Sequence, residues 1–178
     1  MELILLPGLS KENKKWIHEL SAIFKNNFDT IHVHEYLHWE NEQITPTIEK
    51  ELECVAAYAK NISQYVIFGK SFGAIVALQG IRSRKLKPVA CLFVGVAGNM
   101  SRQTPFPIEE LLTNYSVPTL FVQKEFDPAF PSAELKEVIS IAGAKKTRVV
   151  SIPGSDHWYA DLNQLQRDME SLLQGIAD

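Results

Sequence analysis

Short apolar runs alternate along the chain with segments whose apolar residues recur at helical spacing. The runs predict buried strands at 2–6, 30–34, 64–68, 89–94, 119–123 and 147–152. The helical spacing predicts amphipathic helices at 12–25, 46–59 and 72–85, a fourth helix after residue 131 and a last one from residue 162. Strands and helices therefore follow one another along most of the chain.

Several residues mark where the helices begin or end. Thr45 is the expected cap of the second helix, with Pro46 as its first residue. Ser132 and Asp161 are the expected caps of the last two helices, and Gly143 is expected to end the first of these two.

The alternation predicts the α/β class. Parallel strands joined by right-handed helical crossovers form a sheet with helices on both faces. The runs are apolar throughout rather than alternating, which agrees with a sheet that is buried on both faces. In such sheets the chemistry lies beyond the carboxyl ends of the strands. The places to look for function are therefore the loops that follow the six strands, after Leu6, His34, Phe68, Val94, Gln123 and Ile152.

The composition predicts one globular domain that spans residues 1–178. The chain has 178 residues, of which 46% are hydrophobic and 22% are charged, as in ordinary soluble domains. Its formal net charge of −3 lacks the basic excess of nucleic-acid-binding proteins, so no nucleic-acid partner is expected.

No membrane segment or secretory leader is expected from the sequence. The longest apolar stretch, 89–98, is about half the length of a membrane-spanning helix, and the apolar run at 3–6 is too short for a signal peptide. The only two cysteines, Cys54 and Cys91, form no disulfide framework. They are expected to be reduced thiols of a cytoplasmic protein.

The loop after the third strand carries a nucleophile motif. It reads Gly69-Lys70-Ser71-Phe72-Gly73, a G-x-S-x-G elbow between a strand and a helix, which is the context that the motif requires. Such a turn exposes the hydroxyl of Ser71 as a nucleophile. The same letters also resemble the end of a phosphate-binding loop, but that motif needs a glycine where this chain has Gln64. We therefore set the phosphate-binding interpretation aside.

A nucleophilic serine needs a base, and the base needs an acid that orients it. Among the five histidines, His157 lies in a turn-rich loop between the last strand and the last helix, at the expected edge of the sheet. Asp127 directly follows the fifth strand, and Pro128 keeps it out of a helix. Glu125 is the rival acid. The order Ser71, Asp127, His157 differs from that of chymotrypsin and subtilisin.

The elbow, the Asp127-Pro128 turn and the loop of Gly154 and His157 together resemble the α/β-hydrolase superfamily, specifically its small, lidless members. The resemblance extends over nearly the whole chain, beginning at the family's third strand. It implies a three-layer α/β/α sandwich with a six-stranded sheet in the order 2-1-3-4-5-6.

The resemblance also implies an oxyanion hole made of two backbone amides. Phe72 supplies one amide. The other is assigned to Leu9, in the loop after the first strand, where many members carry His-Gly and this chain carries Pro7-Gly8. Since the donor is an amide, the exchange leaves it in place.

Other polar residues near the predicted edge have simpler interpretations. His32, His34 and His38, together with Glu35, could suggest a metal site, but no complete ligand set is visible and we interpret them as residues at a strand end. Lys70 is expected to be solvated or ion-paired, with attraction of an anionic substrate as the alternative.

The sequence thus predicts a serine hydrolase of carboxylic esters or thioesters that needs no cofactor and no metal. Acyl transfer or amide cleavage by the same triad stays open, as does a non-catalytic binding or scaffold protein on the same fold. The segment 96–117 is long enough for a flap but not for a cap domain. Short acyl groups are therefore expected to be preferred, with Leu9, Trp39, Phe106 and Trp158 as walls. The oligomeric state is left open.

Overall fold

A computed structural model describes residues 1–177 and shows a single sheet of six parallel strands. The strands are β1 (Glu2–Leu6), β2 (Thr30–Val33), β3 (Tyr65–Lys70), β4 (Ala90–Val94), β5 (Thr119–Lys124) and β6 (Thr147–Ile152). Their order in the sheet is β2-β1-β3-β4-β5-β6, and every neighbouring pair is parallel. The predicted class, the six strands and their order are confirmed.

Helices cover both faces of the sheet. The helices are α1 (Glu12–Phe24), α2 (Ile48–Ala59), α3 (Phe72–Arg82), α4 (Gly98–Ser101), α5 (Ile108–Leu111), α6 (Ser132–Ile141) and α7 (Leu162–Ala177). A short 3₁₀ turn, Leu37–Trp39, follows β2. Among residues 1–177, no helix combines the length and the apolar character that crossing a membrane would require.

The two apolar faces of the sheet build two separate cores. One core joins α1 and α7 to alternate strand residues such as Leu5, Phe68 and Leu92. The other joins α2, α3 and α6 to residues of the opposite parity, such as Leu6 and Phe93. Because successive side chains of a strand point to opposite faces, a buried parallel strand needs apolar residues at nearly every position. The central strands β3 and β4 are accordingly buried along their whole length.

Two predicted helix starts are wrong: the second helix begins two residues later than expected, and α6 begins one residue earlier. The second helix begins at Ile48, because the side chain of Thr47, rather than that of Thr45, accepts a hydrogen bond from the amide of Lys50. Ser132 is the first residue of α6 rather than its cap, and its hydroxyl bonds the hydroxyl of Ser151 at 2.6 Å.

Two other predicted helix boundaries agree with the structure, whereas the predicted end of the third strand does not. The side chain of Asp161 accepts from the amide of Gln164, as an N-terminal cap does. Gly143 follows α6 with a φ of +67°, the left-handed conformation that ends many helices. The third strand extends two residues further than predicted, to Lys70, so the nucleophile turn follows it without an intervening loop.

Candidate active site

A sharp turn between β3 and α3 presents Ser71. The residue has φ 54° and ψ −115°, a strained conformation for a side chain with a Cβ. The turn is possible because its flanking glycines allow the chain to pass very close to its neighbours. A Cβ on Gly73 would lie 2.1 Å from the carbonyl oxygen of Leu6, and one on Gly69 would lie 2.8 Å from the Cα of Ala74. Both glycines of the motif are therefore required by contacts with backbone.

The structure brings the three predicted triad residues into one hydrogen-bonded chain. The Oγ of Ser71 lies 2.8 Å from Nε2 of His157, and Nδ1 of His157 lies 2.8 Å and 2.9 Å from the two carboxylate oxygens of Asp127. Because a carboxylate only accepts, Nδ1 donates to Asp127 and Nε2 is left to accept from the hydroxyl of Ser71. This is the tautomer that a general base needs.

The carboxylate of Asp127 is fully buried and fully occupied by donors. Burial raises its pKa, but the hydrogen bonds from His157 and Tyr159 outweigh burial, and the pKa of Asp127 lies below its usual range. The Tyr159 hydroxyl donates to Asp127 at 2.7 Å and the amide of Ala129 donates at 2.8 Å. The acid therefore stays ionised next to the imidazole.

Tyr159 is a site residue that the sequence did not reveal. Its hydroxyl also accepts from the amide of Lys124, which ties the loop that carries His157 to the last residue of β5. Burial and the neighbouring Asp127 raise the pKa of this phenol, so it remains a donor. The only feature of the sequence that could have indicated this role is its position two residues after His157. An aromatic residue at that position is equally typical of the hydrophobic core.

The rival candidates lie elsewhere. Glu125 is exposed on the surface. The carboxylate of Asp156 pairs with Lys124 at 2.8 Å and accepts from the amide of Trp158, so it shapes the loop that carries His157.

The three histidines in and after the second strand have separate partners. His32 pairs with Glu2 at 2.6 Å, and His34 pairs with Glu51 at 2.8 Å. Nε2 of His38 donates to a backbone carbonyl. Within residues 1–177, no group of three or more His, Cys, Asp or Glu side chains is arranged to hold a metal ion.

The two residues predicted to supply the oxyanion amides, Leu9 and Phe72, line the same pocket as Ser71. Phe72 is the first residue of α3 and Leu9 lies in the loop after β1, and both line this pocket together with His157. Neither amide donates to another group within residues 1–177. The first amide of a helix has no partner inside the helix, which leaves it free for an anion. The arrangement can hold a developing negative charge on an oxygen.

Three side chains fix the loop that carries Leu9. The carbonyl of Leu9 accepts from Nε2 of His38 and from Nε1 of Trp39, both at 2.8 Å. The hydroxyl of Tyr36 donates to the carbonyl of Pro7 at 2.6 Å. We call these three side chains the loop brace. Trp39 was expected to form a wall of the substrate site, and that prediction is wrong, because the ring is buried in the core and meets the loop through its N–H.

Lys70 is buried and has no ion-pair partner in the described part of the chain, contrary to the preferred interpretation. Its side chain is 2% exposed, and its ammonium donates to Oδ1 of Asn13 at 2.7 Å. It also lies over the rings of Trp16 and Trp158, at 5.2 Å and 4.8 Å from their centroids. As the last residue of β3, Lys70 points its side chain to the face covered by α1, where these partners lie.

Two small pockets adjoin at the nucleophile. The nucleophile pocket, of about 200 Å³, contains the triad serine and histidine and is bordered by polar residues, among them Asn13 and Lys70. The second pocket, of about 330 Å³, is called the apolar pocket after its walls Ile48 and Phe106, although Thr47 and Gln103 also line it. Both pockets are lined by Leu9, Phe72 and Met100. Larger depressions elsewhere on the surface contain none of the triad residues.

Comparison with known proteins relates the chain to solved structures alone. No family model matches the sequence, and no curated protein matches it. Alpha/beta hydrolase domain-containing protein 10 from mouse superimposes with a TM-score of 0.76 at 14% identity, over 98% of this chain and 90% of that one. Est1E from Butyrivibrio proteoclasticus, whose structure contains ferulic acid, gives 0.74 at 17% identity, over 99% and 90%.

A third structure comes from work on two metagenome-derived lipolytic enzymes, LipS and LipT. It superimposes with a TM-score of 0.78 at 12% identity, over 97% of this chain and 93% of that one. Nearly complete coverage of both chains in all three comparisons, together with the strand order, shows that this chain has the α/β-hydrolase fold.

Proposed function

We propose that the protein is a serine hydrolase that cleaves small carboxylic esters or thioesters through an acyl-enzyme. The observation that carries the proposal is the continuous hydrogen-bonded chain from Ser71 through His157 to the buried Asp127, beside two unpaired amides. Ion pairs that serve only stability also shift the pKa values of carboxylates. They do not, however, place the hydroxyl of a strained serine at the end of a row of hydrogen-bonded side chains. The hydrolases and lipolytic enzymes among the structural neighbours support the same reaction class.

The geometry supports two half-reactions. Ser71 attacks the acyl carbon while Nε2 of His157 takes its proton, and the imidazolium is stabilised by Asp127. The amides of Leu9 and Phe72 hold the oxyanion of the tetrahedral intermediate. His157 then gives the proton to the leaving oxygen or sulfur. A water molecule, activated by the same imidazole, releases the acid from Ser71.

The site accepts substrate without a cap domain. The segment between β4 and β5 holds only two four-residue helices, α4 and α5, which supports a single domain with a short flap. Met100 and Phe106 of this segment border the apolar pocket. We assign the acyl group to this pocket, whose volume is near the lower limit for ligand sites.

The first prediction concerns the triad. Ser71→Ala and His157→Ala should each lower kcat/KM for p-nitrophenyl butyrate by about 10⁴–10⁶-fold, and the double variant should lose little more, because the two residues act as one unit. Initial rates on a panel of p-nitrophenyl esters and acyl thioesters would measure this.

The matched control is Glu125→Gln, an exposed carboxylate two residues from the buried one. It should leave the rate within a factor of about two, because exposed substitutions away from a site have small effects. Asp127→Asn should reduce the rate by about 10³–10⁴-fold. Additive losses in the double variant, or a larger loss for Glu125→Gln than for Asp127→Asn, would refute the assignment.

The second prediction concerns acyl length. Each buried methylene contributes about 0.8 kcal/mol, but only where an apolar wall receives it. We expect kcat/KM to be highest for acyl groups of about two to six carbons and to fall on longer chains, without activation at a lipid interface. A series of p-nitrophenyl esters from acetate to laurate would show it. Highest activity on chains of twelve carbons or more would mean that the segment 96–117 is an acyl-binding lid.

The third prediction concerns the loop brace. His38→Leu or Trp39→Phe alone should lower kcat by about 3–10-fold, because the other donor still holds the carbonyl of Leu9. The double variant should lose about 10²-fold, near the effect of removing an oxyanion donor. KM should change little, since this amide acts in the transition state.

The control for the brace is Tyr115→Phe, which removes a buried hydroxyl that bonds Thr119 at the other end of the sheet. It should reduce stability to a similar degree without lowering kcat. His38→Gln, which can still donate, should recover part of the loss of His38→Leu. An equal loss of kcat in Tyr115→Phe and in the double variant would show that the brace acts only through stability.

A further inference from the structure

The ammonium of Lys70 is a buried positive charge that has no counter-ion among residues 1–177. An ammonium has three donors, and the contact with Oδ1 of Asn13 uses one of them. Within residues 1–177, no carboxylate oxygen lies within 4.0 Å of the Nζ atom of Lys70. Burying an unpaired charge is costly, so such a residue inside a site indicates a ligand or a reaction that uses the charge.

The acidic groups nearest to Lys70 are already engaged. Asp127 is saturated by His157 and Tyr159. Glu12 also lines the nucleophile pocket, but it is exposed and accepts from the hydroxyl of Ser10. Burial lowers the pKa of Lys70 to about 8, against the opposing effect of Asp127 and Glu12. The side chain is therefore largely charged at neutral pH and carries its charge without neutralisation.

The aromatic side chains around this ammonium do not neutralise its charge. The indoles of Trp16 and Trp158 attract a cation through their faces but bring no negative charge. Lys70, Asn13 and Trp158 border the nucleophile pocket together with Ser71. Two polar side chains that are more than nine-tenths buried, Lys70 and Asn13, thus form one side of a cavity at the nucleophile.

The route of the proton from His157 decides whether the acyl group or the leaving group lies next to Lys70 and Asn13. The leaving oxygen must receive its proton from Nε2 of His157, so the leaving group lies where His157 borders the cavity. His157 and Lys70 border the nucleophile pocket, and neither borders the apolar pocket. The acyl group therefore takes the apolar pocket, and the leaving group lies beside Lys70.

We propose that Lys70 binds a carboxylate on the leaving group, so that the substrates are esters between a short apolar acid and a hydroxy acid. This inference rests on the proposed ester hydrolysis and names the substrate class of that site. The reaction consumes one water and releases the short acid and the hydroxy acid. The ester bond to the leaving oxygen breaks, that oxygen takes the proton from His157, and the carboxylate on Lys70 is unchanged.

A pair of substrates that differ only in charge tests the proposal. The butyrate ester of 3-hydroxybenzoic acid carries the carboxylate, and the butyrate ester of 3-hydroxybenzamide is its neutral counterpart. We expect the wild-type protein to favour the charged ester by about 10- to 100-fold in kcat/KM, the range of a charge-assisted hydrogen bond. Lys70→Met should reduce that ratio to about one, because the methionine side chain carries no charge that could bind the carboxylate.

The control is Lys14→Met, which changes the net charge equally but removes a lysine that pairs with Glu35 and Glu40 outside the pocket. It should keep the wild-type ratio. A wild-type ratio of one or less, or a ratio that survives in Lys70→Met, overturns the proposal. A complete absence of Ser71-dependent turnover of the neutral ester would instead overturn the hydrolase function itself.

The wild-type protein alone gives a second test, in case Lys70→Met does not fold. The pH dependence of kcat/KM reports the ionisation of groups in the free enzyme. The preference for the charged ester should therefore be complete below pH 7. It should decline through about pH 8, as Lys70 loses its proton. Asp127, Glu12 and His157 also face this region, but the ratio of two esters on one protein cancels effects common to both. A ratio that stays constant from pH 6 to pH 10 overturns the proposal.

Discussion

The turn at Ser71 is the constraint on which the rest of the site depends. A residue with a Cβ is held at a positive φ, and the neighbouring chain leaves no room for a side chain at Gly69 or Gly73. Such strain persists only where surrounding structure enforces it. Here the central strand β3 is buried on both faces and fixed by β1 and β4, so the packing of the whole sheet supports the conformation of one serine.

The partners of Ser71 arrive on other strands, and hydrogen bonds between loops set their positions. His157 follows β6 and Asp127 follows β5, and Tyr159 joins the two loops by bonding both Asp127 and the end of β5. On the opposite side, the brace from the segment after β2 holds the loop after β1. The site is thus assembled from the carboxyl ends of five of the six strands, β1, β2, β3, β5 and β6, as parallel sheets of this kind permit.

The fold and the triad candidates could be predicted because they depend on patterns that are local in sequence. A buried parallel strand needs consecutive apolar residues, and a nucleophile elbow needs two glycines at fixed spacing, so both are visible along the chain. Helix starts were less predictable, because Thr45 and Thr47 are chemically equal as caps and only the path of the chain decides between them.

The residues that the sequence missed act through contacts that are distant along the chain. Tyr159 reaches Asp127, and Trp39 reaches the carbonyl of Leu9, across 30 or more positions. Lys70 was expected in solvent because lysine is seldom buried, and only the packing of Asn13, Trp16 and Trp158 shows otherwise. Hydrophobic periodicity along the sequence does not predict such long-range contacts between side chains.

The most direct measurement of the central claim is covalent capture of the nucleophile. A fluorophosphonate probe reacts with a serine whose hydroxyl is activated by a base and faces an oxyanion hole. Intact mass spectrometry should show one adduct per chain, peptide mapping should place it on Ser71, and Ser71→Ala should remain unmodified. Wild-type protein that stays unmodified, or an adduct on any other residue, would contradict the account.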